Sequence, residues 1–191
     1  MALRHAVLAA MLDGEYSGYQ LAKIFDASVS NFWYAVPQQL YAELAKLERE
    51  GLITGRQVIQ HDRPNKRLYT VTEAGLAELV RFAETSGKPT FIREDLLVIV
   101  QACDDLPASA VLARLDERAA VAEAKAAVFE KTLRRLRGDQ DEETFLRHGE
   151  RVGPYLTCLR GLRFEQDNLR WCRDTARVLR ERSRASRPPA R

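Results

Sequence analysis

The chain has 191 residues, 46% of them hydrophobic and 30% charged, with a formal net charge of +3. That length suggests one or two domains and suffices to bury a core without disulfide or metal staples, and the composition is that of a folded chain. No stretch approaches the ~18 consecutive apolar residues of a membrane span, and the first residues lack a signal-peptide core, so a cytoplasmic protein is expected.

The first predicted helix runs over Leu3 to Leu12, with Val7, Leu8, Met11 and Leu12 on one side, and Asp13-Gly14 stops it. Ser17-Gly18-Tyr19-Gln20 has capping-box spacing, in which the Ser17 hydroxyl accepts from the Gln20 N–H and the Gln20 side chain reaches back. Leu21, Ile24 and Phe25 supply the apolar face of the second helix. A connector with Phe32, Trp33 and Tyr34 leads to Pro37, a good first helical residue. Leu40, Leu44 and Leu47 then fall at i, i+4 and i+7, the buried stripe of a third helix, and Gly51 takes the position that ends it.

Ile53 to Ile59 reads as a strand, His61 to Asn65 as a turn and Arg67 to Val71 as the returning strand. Thr72 caps a fourth helix, whose first turn gains from Glu73 at the positive dipole end. Helices followed by a hairpin in this order make a winged helix-turn-helix, with the third helix in a DNA major groove and the hairpin as wing.

Ser86-Gly87-Lys88-Pro89 breaks this pattern and marks a boundary. The expected architecture is mainly α. A winged helix-turn-helix domain covers residues 1–88, a helical dimerisation and effector domain covers 89–182, and a basic, disordered tail covers 183–191. In the second domain Ala108, Leu112, Leu115, Ala119, Ala122, Ala126, Phe129, Leu133 and Leu136 keep an unbroken heptad spacing from Pro107 to Gly138. A second pattern runs Tyr155, Leu159, Leu162, Leu169, Cys172, Ala176, Leu179, with Gln166 interrupting it, and Gly153-Pro154 breaks the helix ahead. Two such helices call for antiparallel packing within the chain and pairing with a second chain. Leu112, Leu115, Phe129, Leu133, Leu162, Leu169 and Trp171 are the candidate dimer contacts. The seam of the first helix reads equally well as an intramolecular core.

Charge is uneven. Residues 1–88 hold 10 basic and 10 acidic side chains, whereas residues 177–191 hold six arginines against Glu181. Around the hairpin, Arg56, Arg63, Lys66 and Arg67 face only Asp62. The three cysteines (Cys103, Cys158, Cys172) lack CxxC spacing, and the three histidines are scattered. No P-loop, GxGxxG, GxSxG or HExxH occurs, so no metal, cofactor or enzymatic activity is expected.

The pieces Gly18-Tyr19-Gln20-Leu21, Phe32-Trp33, Leu40-Tyr41-x-x-Leu44-x-x-Leu47-Glu48-x-x-Gly51-Leu52-Ile53 and Arg67-Leu68-Tyr69-x-x-Thr72-x-x-Gly75 together resemble the PadR family of bacterial transcriptional regulators. Within it they resemble the subgroup with a long, virulence-activator-like helical C-terminal domain. The resemblance covers nearly all of residues 3–84. It extends to the second domain through helix layout and Trp171. It implies a homodimeric regulator of double-stranded promoter DNA, a repressor released by a small hydrophobic or phenolic effector. A coiled-coil adaptor whose winged helix does not read DNA is the alternative.

The chain departs from the family just before the third helix. Ala35-Val36-Pro37 stand where a small residue is usual, and Val36 is a poor N-cap. Either Pro37 alone sets the start, or the first backbone donors turn toward phosphate. Gln38 and Gln39 occupy the first turn, where a recognition helix meets base edges, and their amides match adenine. Lys46 lies outside on the same helix. The resemblance gives Tyr41 and Tyr19 to the DNA backbone, although either also reads as a packed tyrosine. Arg63, Lys66 and Arg67 would grip phosphates from the wing. Phe32, Trp33, Tyr155, Phe164 and Trp171 read as core aromatics or as the lining of an effector pocket between the domains.

Overall fold

The structure is a computed structural model that describes residues 2–25, 35–59, 65–87 and 93–185. Phe32 and Trp33, the hairpin tip with Arg63, and the tail from residue 186 onward lie outside the described residues. The chain divides into two compact units, Met1–Pro89 and Thr90–Arg191.

The first unit runs α1 (Ala2–Ala10), β1 (Tyr16–Ser17), α2 (Gly18–Ile24), α3 (Pro37–Arg49), β2 (Ile53–Val58), β3 (Lys66–Val71) and α4 (Glu73–Glu84). Local chemistry sets most of these bounds. The Ser17–Gln20 capping box is complete: the Gln20 N–H donates to Ser17 Oγ, and Gln20 Oε1 accepts from the Ser17 N–H at 2.9 Å. Gly51 ends α3 at a φ of 71°, a left-handed conformation that glycine enters without Cβ strain. Thr72 accepts from the Gly75 N–H at 3.2 Å and donates to the Gly51 carbonyl at 2.7 Å, so one hydroxyl joins the end of α3 to the start of α4.

The sheet is antiparallel, in the order β1-β3-β2. The hairpin pairs Gly55 with Tyr69, Arg56 with Leu68 and Gln57 with Arg67. The short β1, which no sequence pattern announces, adds Tyr16 opposite Tyr69. Val7, Leu8 and Met11 of α1, Leu21 and Phe25, the α3 stripe Leu40, Leu44 and Leu47, and Leu52 and Ile53 form one apolar core. That core seats α3 by its leucines and leaves its opposite side outside.

The second unit runs α5 (Asp95–Gln101), α6 (Ala108–Arg137), α7 (Glu142–His148) and α8 (Gly153–Ala185). Asp116 meets Arg180 at 2.8 Å and Glu123 meets Arg173 at 3.0 Å, so α6 and α8 run antiparallel. Their contact holds two apolar clusters. One joins Ala126, Phe129, Leu133, Phe145, Tyr155, Cys158 and Leu162. The other joins Leu96, Val111, Leu115, Cys172 and Ala176. Between them lies a polar layer that the sequence patterns did not show: Glu165, 4% exposed, takes Arg118 at 2.8 Å and Lys125 at 3.5 Å.

The heptad seam of α6 is thus largely an intramolecular one. Leu115, Phe129, Leu133 and Leu162 are buried within the chain's own helix pair, and Leu112 and Leu169 are half-buried. At its N-terminal end the seam also shifts by one position, to Val111 in place of Leu112. A straight α-helix drifts by about 20° per heptad from a strict seven-residue repeat, which accounts for the shift.

Helix α8 continues to Ala185, past the Ser183 at which a frayed tail was expected. Arg180 pairs with Asp116, Arg182 with Asp104 at 2.9 Å, and Arg177 with Asp174 at 3.5 Å, so much of the C-terminal positive surplus is compensated within the helical unit. Among the described residues no helix is long and apolar enough to cross a membrane, and no group of three or more His, Cys, Asp or Glu residues is placed to hold a metal.

Cys158 and Cys172 are buried, and burial pushes both thiols up, away from the reactive thiolate. The Cys158 thiol donates to the Phe129 carbonyl at 3.6 Å. A neutral-pH alkylating reagent is therefore expected to label half-exposed Cys103 in the native chain and the other two only after unfolding. Peptide mass mapping reads the order, and early labelling of Cys172 would contradict the packing.

Candidate nucleic-acid interface

Helix α3 buries its leucines and turns Gln38, Gln39, Tyr41, Ala42, Ala45, Lys46 and Arg49 outward. Its start solves the problem that Val36 poses. Gln39 Oε1 accepts the Val36 N–H at 3.1 Å, so a helix side chain caps the preceding backbone in place of an N-cap hydroxyl. The solution is neither of the two expected from the sequence. It also divides the two glutamines: the Gln39 carboxamide oxygen is committed to the helix start, whereas Gln38 is exposed one position earlier.

Tyr41 and Tyr19 take different roles. The Tyr41 ring lies against Gly18, where an added Cβ would run into it, so Tyr41 helps seat α2 on α3 while staying 49% exposed. Tyr19 is 63% exposed on α2, with the Lys23 ammonium 4.6 Å from its ring centre. That pair sets a cation and a phenol side by side on the surface of α2, next to α3.

The hairpin is less basic than its sequence suggests. Arg67 donates to Glu48 Oε1 through Nη2 at 2.5 Å and Nε at 3.2 Å. Arg56 donates through Nε to Glu15 at 2.9 Å and pairs with it again through Nη2. The Arg56 hydrogen bond holds the Glu15 carboxyl below the ordinary range, and the Glu48 hydrogen bond raises Arg67 further. Cross-strand partners share a face and neighbours alternate, so the two pairs occupy opposite faces of the hairpin. Counting charges along the segment misses Glu15 and Glu48, because the fold supplies them from the β1 side and from α3. Lys66 starts β3, half-buried.

A second interaction fixes α1 on α4. The His5 ring stacks on Phe82 at 3.9 Å between centres, and its Nε2 lies 3.1 Å from Glu78. Arg4 ties α1 to α3 through Glu50 and, at 3.8 Å, Glu43. These pairings fall on the protein side of α3 and leave its Gln38–Ala42–Ala45 side clear of them.

The candidate dimer and effector residues fall in two places. Tyr155 is a core residue, its ring 5.0 Å from Phe145 and its hydroxyl donating to Glu142 at 3.1 Å. Phe164 and Trp171 lie on the outer side of α8, and Val178 continues their seven-residue spacing.

A sheet-bearing unit whose third helix is seated by leucines and faces outward with glutamine, alanine and lysine, followed by a wing, is a winged helix-turn-helix, here joined to an all-helical unit. The sequence matches the Transcriptional regulator PadR-like family over residues 7–81 and the Virulence activator alpha C-term family over residues 92–180. It is 31% identical over 189 residues to the probable transcriptional regulator Rv1176c of Mycobacterium tuberculosis, covering 95% of this chain and 100% of that one. The fold is similar to that of Bacillus subtilis PadR in complex with operator DNA (TM-score 0.77, 24% identity, 94% of this chain and 99% of that one). It is also similar to the same protein in complex with p-coumaric acid (TM-score 0.72, 23% identity, 93% and 95% covered). The chain belongs to the PadR-like family of transcriptional regulators.

Proposed function

We propose that this chain is a homodimeric, sequence-specific DNA-binding repressor that a small hydrophobic or phenolic molecule releases. The observation that carries the DNA reading is the outward side of α3. An exposed Gln38 in the first turn, followed by Ala42 and Ala45, offers amide and methyl groups at the depth where a recognition helix meets base edges. Lys46 and the Tyr19–Lys23 pair supply phosphate contacts around it. The operator-bound PadR structure supports the reading through its shared fold, and the p-coumaric acid complex supports a phenolic effector in the same way. Occupation of a promoter by such a dimer blocks polymerase, which is the sense of repression meant here.

The second copy of the proposed dimer packs on the outside of α8, since the α6 seam is taken up within the chain. Phe164, Trp171 and Val178 repeat every seven residues and are exposed on a unit whose own core lies on the other side of the helix. A second copy covers such a strip by pairing along it. The two-fold axis then calls for a pseudo-palindromic operator.

An electrophoretic shift with the promoter of its own gene, set against a duplex of mixed sequence, tests the proposal. Gln38→Ala is expected to cost about 1–3 kcal/mol of specific affinity and to relax base preference at one operator position, with stability nearly unchanged. A folded protein that forms no specific complex would instead support the adaptor reading.

A further inference from the structure

We propose that Glu48 sets the sequence-independent part of the DNA affinity by withholding Arg67 from the DNA backbone. The inference rests on the DNA-binding reading above. Arg67 lies on the wing, where an unpaired guanidinium would go to phosphate. In the structure its guanidinium is held by one carboxylate oxygen of Glu48 through two nitrogens, at 2.5 and 3.2 Å.

The surroundings favour this pairing. Gly55 lies opposite Tyr69 on the same hairpin face. An added Cβ at Gly55 would collide with the Glu48 carboxylate and come within 2.5 Å of Arg67 Nε and 3.1 Å of Tyr69 Cε1. The bare glycine thus opens the slot in which carboxylate and guanidinium meet, and the Tyr69 ring lies 6.0 Å from the guanidinium carbon. Glu48 itself is placed by its neighbour Leu47, which is fully buried in the core. The arrangement spans α3, β2 and β3.

The consequence is electrostatic. Each basic side chain that neutralises a phosphate adds about 0.9 to the slope of log affinity against log salt, whatever the base sequence. A paired Arg67 adds no net charge to that term. Trimming the sequence-independent part of the affinity weakens binding to every duplex alike and leaves base preference to the α3 contacts. Arg56 and Glu15 repeat the pairing on the other face of the hairpin.

The test is a salt titration of binding to a short mixed-sequence duplex by fluorescence anisotropy, for wild type, Glu48→Gln and the double variant Glu48→Gln/Arg67→Gln. Matched thermal unfolding curves confirm that all three are folded. Glu48→Gln is expected to bind mixed-sequence DNA more tightly at low salt and to steepen the slope by about 0.9, an additional loss of about three- to fourfold between roughly 50 and 200 mM salt. The double variant is expected to keep the wild-type slope. An unchanged slope in Glu48→Gln overturns the proposal. So does a double variant shallower than wild type by about 0.9, since Arg67 would then already contact phosphate in the wild type. If neither wild type nor Glu48→Gln binds any duplex, the DNA reading falls together with this one, an outcome distinct from both.

Discussion

Glu165→Ala is expected to destabilise the helical unit by about 3–5 kcal/mol. Glu165 is 4% exposed in the middle of α8, between the two apolar clusters that join α8 to α6. Its carboxylate takes Arg118 at 2.8 Å and Lys125 at 3.5 Å, and Asn168 donates to it at 3.5 Å. Arg118 in turn reaches Glu94, the residue before α5, at 3.5 Å. Removing the carboxylate leaves the mostly buried Arg118 guanidinium with only Glu94 as counter-charge, and much of its desolvation cost is then uncompensated. Replacing both partners, as in Arg118→Leu/Glu165→Leu, is expected to be far milder, because no charge is stranded. Urea unfolding followed by circular dichroism measures both. A loss below about 1 kcal/mol in the single variant would show that water reaches Arg118 and that the layer is not dry.

Leu47→Ala is expected to cost the winged unit about 2–5 kcal/mol. Leu47 has no exposed surface, and with Leu40 and Leu44 it forms the whole buried stripe of α3. Truncation opens a cavity against α1 and the start of β2, and the helix that presents Gln38 loses its seat. DNA affinity then falls for every sequence in proportion to the folded fraction. Gln38→Ala produces the opposite profile, with stability kept and base preference lost. The two variants together separate seating from reading, with thermal unfolding and the electrophoretic shift as readouts. A Leu47→Ala protein of wild-type stability would contradict the assigned core.

Much of the first unit was legible because its signals are local. The Ser17–Gln20 box, Pro37, the three α3 leucines, Gly51 and Thr72 each act within a few residues, and each stands where spacing placed it. What escaped depends on residues distant in sequence. The strand β1 is two residues long and exists only because Tyr16 and Ser17 meet Tyr69 and Leu68 of β3. Counted along the sequence the wing carries a charge of +3, yet Glu15 neutralises Arg56 across 41 positions and Glu48 neutralises Arg67 across 19. No window of the length of the hairpin contains either pair. The tail charges behave similarly, with Arg180 and Arg182 answered from the start of α6 and just before it.

In the helical unit the heptad was visible but its partner was not. Period alone cannot say whether a seam faces a helix of the same chain or of a second one, and Leu115, Phe129 and Leu133 face α8. Gln166 marked an interruption, but the buried polar residue is its neighbour Glu165, which reads from sequence as one more solvated helix carboxylate. The short α7 left no periodic trace in its seven residues. Its start is set by Asp141, whose side chain accepts the Thr144 N–H at 2.9 Å.

On the proposed function, the outward side of α3 reads duplex DNA. A salt titration of affinity for the promoter of its own gene, run beside a mixed-sequence duplex, tests it most directly. A specific complex is expected that weakens linearly in log salt, binds the promoter about a thousandfold or more tighter than the mixed duplex, and loses that preference in Gln38→Ala. A folded wild-type protein that binds both duplexes equally, or neither, would contradict it.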